Sequence, residues 1–321
     1  MRKRNLYRYV TKKYVFCYML AMLLLFLLSE PGVAIEGARF GLMLWANRLL
    51  PSLLPFLILT QILLMSGYLD AITEKLGLSY PHFVLLFGTL FGFPMGAKLS
   101  ADLCAKGRLS TREASLLFIV SNHMSPAFVG GYILSETLRQ PKLIPMTYAL
   151  LYLPAVCYGL IMLHRLHGGA ADAKKCTRAD TAKKSTPRLR LNFAIFDAAI
   201  MNSFETMLKL GGYVMLFSIL TGMCRHFLAA LPGVCTLAAG LLEVTGAVSA
   251  IDGFFADSYP KYVAILAAAA FGGCSGIAQT ASLIRPDGKD IGLSIVRYTR
   301  GKLLIAGVTT LLAALLYPIL A

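Results

Sequence analysis

Residues 82–97 read HFVLLFGTLFGFPMGA, an apolar run whose second half is interrupted by Gly92, Pro94 and Gly96. Glycine and proline both weaken the interior of a helix, so these residues predict a break in the segment. Whether the segment crosses the membrane decides the fold, because it fixes the side of the bilayer on which every later segment lies. The distribution of charge along the chain answers this question.

The composition on both sides of this segment is that of a membrane protein. Of the 321 residues, 57% are hydrophobic and 15% are charged, whereas about 25% of the residues of an average soluble domain are charged. A soluble core of this size could not hide so much apolar sequence. A soluble enzyme, a coiled coil and a disordered chain are therefore excluded, and the sequence predicts several membrane-spanning segments.

The basic residues are concentrated between the apolar runs. The chain has 31 Lys and Arg against 16 Asp and Glu, which gives a formal net charge of +15. Four short segments carry 23 of the 31 cations: 1–13, 98–112, 165–190 and 285–302. Clusters of this kind beside spans are typical of cytoplasmic loops. No pattern of a nucleic-acid-binding motif accompanies them, so we expect no nucleic-acid partner.

Cytoplasmic ends at 1–13 and 165–190 require an even number of crossings between them. The sequence between them has five apolar segments: 14–28, 51–67, 82–97, 113–134 and 143–163. One of the five must therefore return to the side from which it came. If 82–97 is re-entrant, the four cations of 98–112 stay cytoplasmic. We expect the first helix to be retained, and a cleaved signal peptide ending at 32–34 is the alternative.

The second half of the chain repeats this order of segments. Each half has an amphipathic segment suited to the membrane interface (35–50 and 192–209), then a span, two interrupted segments and a last span. The later apolar segments are 210–224, 233–251, 261–284 and 303–320. With 233–251 re-entrant, loops 135–142 and 252–260 lie outside. The second half is then inverted relative to the first.

The predicted fold is an all-α integral membrane protein with about seven spanning helices and two re-entrant or broken segments, arranged as two inverted-topology repeats. Its N-terminus is cytoplasmic. Residues 1–34 form a basic head and first transmembrane helix, 35–164 a first repeat, 165–190 a basic cytoplasmic linker and 191–321 a second repeat. Such repeats are typical of secondary transporters, in which the substrate lies between broken helices.

Three stretches of the first half resemble the sporulation integral membrane protein YlbJ family: LPSLLPF (50–56), GFPMGAK (92–98) and NHMSPAF (122–128). The resemblance continues through GLLEVTG (240–246) and GCSG (273–276), and so extends over nearly the whole chain. The family is similar to the gate domains of nucleoside and ferrous-iron transporters, which are paired helical bundles with re-entrant hairpins. The resemblance implies two gate-like repeats. It also implies a role in endospore formation, in the outer forespore membrane, with dipicolinic acid, a small aromatic dicarboxylate, as transported substrate.

The breaks of the first half are candidate sites for an anionic substrate. A helix broken at Gly92, Pro94 and Gly96 presents free N–H groups, whose partial positive charge suits a carboxylate. Lys98 lies just beyond this break and would add a full charge. Polar side chains at the second break are also candidates to bind the anion: Asn122 and Ser125, together with Pro126. Helix packing is the alternative for all of these residues, with Lys98 reaching the membrane surface.

The second half has matching candidates. Glu243 lies deep in an apolar segment, where a charge costs at least about 2.5–3.5 kcal/mol, so we expect it to be paired, protonated or in a watery cavity. It is a candidate for proton coupling, and a structural hydrogen bond is the alternative. The break in 261–284 offers small and polar residues for substrate binding, with helix packing as the alternative: Gly273, Ser275, Gly276 and Gln279.

Transport requires no covalent chemistry, and the sequence has no nucleophile–base pair, phosphate loop or cluster of metal ligands. Its seven cysteines are scattered and include no CxxC pair. We therefore expect no enzymatic activity, no cofactor and no metal. The expected partners are a small anionic substrate and the lipid bilayer, with a second copy of the chain or other spore-membrane proteins as further candidates. The alternative function is a non-transporting membrane scaffold or assembly factor for the spore envelope.

Overall fold

The computed structural model describes residues 14, 17–18, 20–168, 192–284 and 290–320. All regular secondary structure in these residues is helical. The basic head 1–13, residues 169–190 of the basic linker with residue 191, and residues 285–289 of the last basic loop lie outside the described residues. The all-α fold is thus confirmed for the described part of the chain.

The first helices are α1 (Leu20–Ser29), α2 (Pro31–Leu44) and α3 (Leu50–Ser66). Pro31 occupies the first turn of α2, where its missing N–H leaves no hydrogen bond unmade. A π-helical turn, Trp45–Leu49, joins α2 to α3, so the helix is continuous from 31 to 66. The predicted interfacial segment 35–50 is therefore part of the helix that continues into the span, because nothing in the sequence ends the helix between them.

A helical hairpin follows the short helix α4 (Tyr68–Leu76). It consists of α5 (Tyr80–Phe91) and α6 (Met95–Ala105). A Cβ added to Gly88 would lie 2.8 Å from the Gly96 Cα, so the two helices pack closely. The chain turns at Gly92 and Pro94, whereas Gly96 lies inside α6, because the helix resumes directly after Pro94 at its N-cap position. This hairpin lies at the place of the predicted re-entrant segment 82–97.

Helix α7 (Thr111–Val120) begins with a capping box, in which the Ser110 hydroxyl accepts a hydrogen bond from the Glu113 N–H and the Glu113 carboxylate accepts one from the Ser110 N–H. The helix ends at Ser121, and a π-helical segment, Phe128–Thr137, follows the break. A short 3₁₀ turn, Pro141–Leu143, leads into α8 (Ile144–Gly168). The predicted segment 113–134 is therefore two helical pieces separated by an irregular stretch.

The second half begins with α9 (Phe193–Phe227), whose N-terminus is capped by the Asn192 side chain. The predicted interfacial segment 192–209 and the span 210–224 form this one helix. A second hairpin follows and consists of α10 (Pro232–Leu242) and α11 (Val244–Phe254). A Cβ on Gly233 would lie 3.6 Å from the Phe254 ring, so the two ends of the hairpin meet. Its turn is at Glu243, a position that was not predicted, although segment 233–251 was predicted to be re-entrant.

The last helices are α12 (Ser258–Phe271), α13 (Gly273–Ala281) and α14 (Ile295–Leu320). Gly272 has a φ of 82° and alone separates α12 from α13. The predicted break is therefore narrower than the GCSG motif, and Ser275 and Gly276 are helical. The predicted loop 285–302 ends at residue 294, because its last three cations belong to the first turns of α14.

Five helices are long and apolar enough to cross a membrane: Pro31–Ser66, Pro141–Leu166, Phe193–Phe227, Ser258–Ala281 and Ile295–Ile319. They contain most of five of the seven predicted spans. The two others, 14–28 and 113–134, correspond to a shorter apolar helix and to the interrupted segment. The chain is a multi-pass membrane protein. The number of its crossings, its inverted repeats and its domain boundaries stay predictions.

Helix α9 packs antiparallel to the continuous helix α2–α3 and joins the two halves. A Cβ on Gly37 would lie 3.0 Å from the Ile219 Cα, and one on Gly211 would lie 2.9 Å from the Trp45 ring. The Trp45 Nε1–H donates a hydrogen bond of 2.8 Å to the Met207 carbonyl. This indole bond fixes the π-helical turn against the middle of α9.

Loops that were predicted to share a side of the membrane lie together. A Cβ on Gly292 would lie 3.1 Å from the Thr111 Cγ2, so the two basic loops that were predicted to be cytoplasmic are in contact. At the opposite end, residues from 135–142 and 252–260 line one polar cavity of about 500 Å³. The pairing of the loops follows the predicted topology. Which of the two ends faces the cytoplasm stays a prediction.

Candidate substrate cavity

The two breaks of the first half are in backbone contact. Gly92 has a φ of 75°, a conformation that favours glycine. A Cβ at this position would overlap the Cα and N atoms of Ser125. The Phe93 N–H donates a hydrogen bond to the His123 carbonyl. The turn of the first hairpin therefore rests on the irregular stretch that follows α7.

The two breaks of the second half meet in the same way. Gly273 has a φ of 70°. A Cβ on it would lie 3.0 Å from the Leu242 carbonyl oxygen and 3.3 Å from the Glu243 Cα. The turn of the second hairpin therefore rests on the junction between α12 and α13. In both halves a hairpin turn and an interrupted helix contact each other through glycine.

A cavity of about 210 Å³, here called the central cavity, lies between these two pairs of breaks. A Cβ on Gly276 would lie 3.8 Å from the Phe93 ring, so a ring from the first hairpin turn faces α13 of the second half. The walls of the central cavity are mainly apolar, with a limited set of polar and charged side chains: Arg48, Ser52, Ser125, Tyr132, Glu243, Thr245, Ser275 and Gln279. This combination is typical of small-molecule sites.

Five of the twelve predicted site residues line the central cavity: Ser125, Glu243, Ser275, Gly276 and Gln279. The structure brings these five together from both halves of the chain. The other seven are not among its lining residues: Gly92, Pro94, Gly96, Lys98, Asn122, Pro126 and Gly273. Of these seven, Pro94 is the N-cap residue of α6, and the Pro126 carbonyl accepts a hydrogen bond of 2.6 Å from the Tyr148 hydroxyl.

Gly96 and Lys98 take part in packing inside the first half. A Cβ on Gly96 would overlap the Ser121 carbonyl oxygen, so glycine allows α6 to approach the end of α7. Lys98 Nζ donates a hydrogen bond of 3.0 Å to Asp102 Oδ1, and Asp102 Oδ2 accepts one of 2.9 Å from Gln61 Nε2. The charge of Lys98 is thus matched within its own helix.

Asn122 connects the second break of the first half to the last two helices. Its Nδ2 donates hydrogen bonds to the Tyr298 hydroxyl at 2.9 Å and to Thr280 Oγ1 at 3.2 Å. Its Oδ1 is buried and has no hydrogen-bond partner among the residues that the structure describes. The side chain therefore holds the bundle together behind the cavity wall.

Lys302 is a buried cation that the sequence analysis did not identify. The residue is only 2% exposed, and its Nζ donates a hydrogen bond of 3.0 Å to the Asn122 carbonyl. It also lies 3.4 Å from His123 Nδ1. His123 Nε2 lies 2.9 Å from the Val120 carbonyl, an acceptor only, so Nε2 carries the ring proton and Nδ1 accepts from Lys302. Within the described residues, Lys302 has no carboxylate partner.

Glu243 caps the helix that follows it. Its Oε1 accepts a hydrogen bond of 2.9 Å from the Thr245 N–H, and its Oε2 accepts one of 2.7 Å from the Gly246 N–H. The structural hydrogen bond that was the alternative for this residue is therefore present. Glu243 also borders a second cavity of about 440 Å³, whose charged and titratable lining residues include Glu36, Arg225 and His226. The carboxylate thus lies in the wall between two cavities.

Arg48 is the positively charged side chain among the described residues that line the central cavity. Its guanidinium binds the Glu136 carboxylate through two hydrogen bonds, Nη1 to Oε1 at 2.8 Å and Nη2 to Oε2 at 2.6 Å. The sequence analysis assigned Arg48 to an interfacial segment. Its role in the cavity wall depends on the packing of distant segments, and no local signal in the sequence indicates it.

The described residues define a multi-pass helical membrane protein in which four chain breaks surround an internal cavity. The chain is 29% identical over 215 residues to the sporulation integral membrane protein YlbJ of Bacillus subtilis (strain 168), an alignment that covers 60% of this chain. This similarity confirms the resemblance to the YlbJ family that the motifs indicated. The alignment spans about half of that relative, 52% of its length. No family model and no solved structure matches the chain.

Proposed function

We propose that this protein is a membrane transporter that moves a small organic anion through the central cavity during endospore formation. The observation that carries the proposal is the convergence of four chain breaks on one internal cavity. Irregular backbone is tolerated at membrane depth where it borders such a cavity, and transporters bind their substrates there. A membrane scaffold has no need of four breaks that meet in this way.

The charges of the cavity wall favour an anion. Arg48 contributes a cation, whereas both oxygens of the Glu243 carboxylate already accept hydrogen bonds from backbone N–H groups. Ser125, Ser275 and Gln279 offer neutral hydrogen-bonding groups deeper in the cavity. A carboxylate substrate would find donors in these groups, and the two N–H groups that bind Glu243 partly offset the negative charge of its carboxylate.

Dipicolinic acid is the substrate that we propose, on the basis of the family resemblance. It is planar and aromatic and carries two carboxylates. The lining of the central cavity supports this choice because it contains three aromatic side chains. Phe93 comes from the turn of the first hairpin, and Phe128 and Tyr132 come from the π-helical segment. Flat aromatic surfaces and a guanidinium suit a flat anionic ring.

We further propose that Glu243 couples transport to a proton gradient. It separates the central cavity from the second cavity, so protons could reach it from one side and substrate from the other.

The chemistry is transport without covalent change. Among the described residues, no group of three or more His, Cys, Asp or Glu is placed to hold a metal ion. The alternative, a scaffold or assembly factor for the spore envelope, agrees equally well with the name of the relative.

The decisive experiment is transport by the purified full chain in liposomes that contain dipicolinate on one side, with and without a pH gradient. We expect dipicolinate to cross only liposomes that contain the protein, and faster with a gradient of the correct direction. The uncharged diamide of the same ring is the matched control: it should not compete with dipicolinate, and its own flux should be the same with and without the protein. Equal flux with and without protein would exclude the transport function and favour the scaffold.

A further inference from the structure

The ion pair between Arg48 and Glu136 lies in the wall between two cavities. Arg48 lines the central cavity, and Glu136 lines the polar cavity of about 500 Å³ formed by the loops at that end of the bundle. Tyr132 borders both cavities, and the Arg48 guanidinium carbon lies 5.8 Å from the centre of its ring. The two hydrogen bonds of the pair therefore span the partition between the substrate cavity and the outer space.

Both sides of this partition are π-helical. Arg48 belongs to the turn Trp45–Leu49, and Tyr132 and Glu136 belong to the segment Phe128–Thr137. π-Helical turns are rare and occur frequently at functional sites. The wide turn of the second segment is held by side-chain hydrogen bonds to carbonyls five residues earlier, from Ser135 to Gly130 at 2.7 Å and from Thr137 to Tyr132 at 2.9 Å. The structure thus places an unusual backbone on both sides of a single ion pair.

The pair is open to exchange. Its two side chains are each about half exposed, at 50% of their full accessible surface. An exposed ion pair of this kind contributes little to folding stability. Glu136 occupies the edge of the guanidinium formed by Nη1 and Nη2, and this edge holds one carboxylate at a time with two hydrogen bonds. A second carboxylate that enters the central cavity therefore competes with Glu136 for the same two N–H groups.

We propose that Arg48 is the residue that binds the substrate carboxylate, and that Glu136 occupies Arg48 when the cavity is empty. This inference rests on the proposed transport of an organic anion. The substrate replaces Glu136, the hydrogen bonds across the partition break, and the central cavity opens toward the polar cavity. Arg48 exchanges one carboxylate for another, so the guanidinium stays paired, and the released Glu136 carboxylate is left facing the polar cavity that it lines. The device selects for carboxylates, because an uncharged ligand cannot displace Glu136.

Two variants separate this role from that of a structural ion pair. Arg48→Gln removes the binding group and should raise the Kd for dipicolinate roughly ten- to a hundredfold, as expected for the loss of hydrogen bonds to a charged group. Glu136→Gln removes the competitor and should lower the Kd several-fold. A purely structural pair predicts the same direction for both variants, because each breaks the same bonds. Arg48→Lys should give an intermediate Kd, since lysine keeps the charge but lacks the two-pronged geometry.

The measurement is equilibrium binding of dipicolinate to the purified protein in detergent, followed by liposome transport of the same preparations. Arg108→Gln is the matched control, because Arg108 forms an ion pair with Asp70 away from the central cavity; its binding should equal that of wild type. Shifts of Arg48→Gln and Glu136→Gln in the same direction, or no shift in either, would overturn the inference. Wild-type binding without transport would overturn the proposed function, and the two variants would still test Arg48. Absence of wild-type binding would overturn both.

Discussion

The Lys302 side chain donates a hydrogen bond of 3.0 Å to the backbone carbonyl of Asn122, a residue 180 positions earlier in the chain. The last helix thus supplies a cation to a backbone carbonyl in the irregular stretch that follows α7. In transporters, unwound carbonyls of this kind commonly bind a coupling cation. Here an ammonium group of the chain itself occupies such a carbonyl.

Replacing Lys302 by methionine should destabilise the bundle. The change keeps most of the side-chain volume but leaves the Asn122 carbonyl without its donor, and a lost hydrogen bond to a charged group costs about 1.5–3 kcal/mol. Thermal unfolding in detergent measures the effect. Arg300→Met, at an exposed position on the same helix, is the control and should leave the unfolding temperature unchanged. A higher unfolding temperature for Lys302→Met would show that the free-energy cost of burying the ammonium group exceeds the stabilisation from its hydrogen bonds.

Glu243→Gln should abolish the response of transport to a pH gradient. Glutamine keeps the size and one acceptor oxygen but cannot titrate. The amide NH2 of glutamine replaces one of the two acceptor oxygens of Glu243, so either the Thr245 or the Gly246 N–H loses its hydrogen bond. We therefore expect a loss of about 1 kcal/mol in folding stability. Liposome flux at equal and unequal pH measures the coupling, and Glu243→Asp serves as the titratable control. If the glutamine variant responds to the gradient like wild type, Glu243 is a helix cap and nothing more.

Gly96→Ala should severely destabilise the first half. The added methyl group would overlap the Ser121 carbonyl oxygen, which belongs to the backbone and cannot move aside cheaply. Overpacking of this kind costs typically about 1–3 kcal/mol. Gly240→Ala is the control, because nothing lies within 4 Å of its added Cβ. Equal yield and unfolding temperature for the two variants would contradict the close approach of α6 to the end of α7.

Ser125→Ala and Asn122→Ala should have different effects. Ser125 lines the central cavity, so its variant should weaken dipicolinate transport with about 1 kcal/mol or less of lost stability from the cap that it gives the Phe128 N–H. Asn122 joins three segments behind the wall, so its variant should lower membrane abundance and the unfolding temperature. Flux normalised to protein amount distinguishes the two. Loss of abundance in both variants would assign Ser125 to packing as well.

The topology is testable with single cysteines in a cysteine-free background. Cysteines at Ala105 and Arg178 should be labelled only from the cytoplasm, and cysteines at Gln140 and Ala256 only from outside. This follows from the positive charge of the inner loops. A membrane-impermeant maleimide on intact cells measures accessibility, and permeabilised cells provide the control. Labelling of position 105 or 178 from outside would refute the inverted arrangement.

The sequence predicts chain breaks better than it predicts contacts across them. Gly92, Pro94 and Gly272 are breaks for local reasons, since glycine and proline act on their own backbone. Segment 233–251 was predicted to be re-entrant from the parity of the crossings, but the position of its turn at Glu243 was not predicted, because no glycine or proline lies there and the side chain itself caps the next helix. Local pattern therefore located three of the four breaks around the cavity, and the distribution of charge indicated the fourth segment without locating its turn.

The roles of Arg48 in the cavity wall and of the buried Lys302 could not be predicted in this way. Arg48 belongs to a predicted interfacial segment and Lys302 to a predicted basic loop, where a lysine or arginine ordinarily faces water or lipid headgroups. What makes them internal is contact with residues 88 and 180 positions away. Contacts between residues so far apart in the chain depend on how the helices pack, and no local periodicity of a single sequence predicts them.

The continuous helix from Pro31 to Ser66 has a further consequence. Its 36 residues correspond to a length of about 54 Å at 1.5 Å per residue, whereas the hydrocarbon layer is about 30 Å thick. Even at a tilt of about 40°, it would extend about 41 Å along the bilayer normal. The helix therefore projects into the headgroups even at this tilt, and a change in bilayer thickness would change its tilt. Because Arg48 lies on this helix, hydrophobic mismatch would act on the orientation of Arg48 and, through it, on the opening next to Glu136. Flux should then vary with the acyl-chain length of the host lipid.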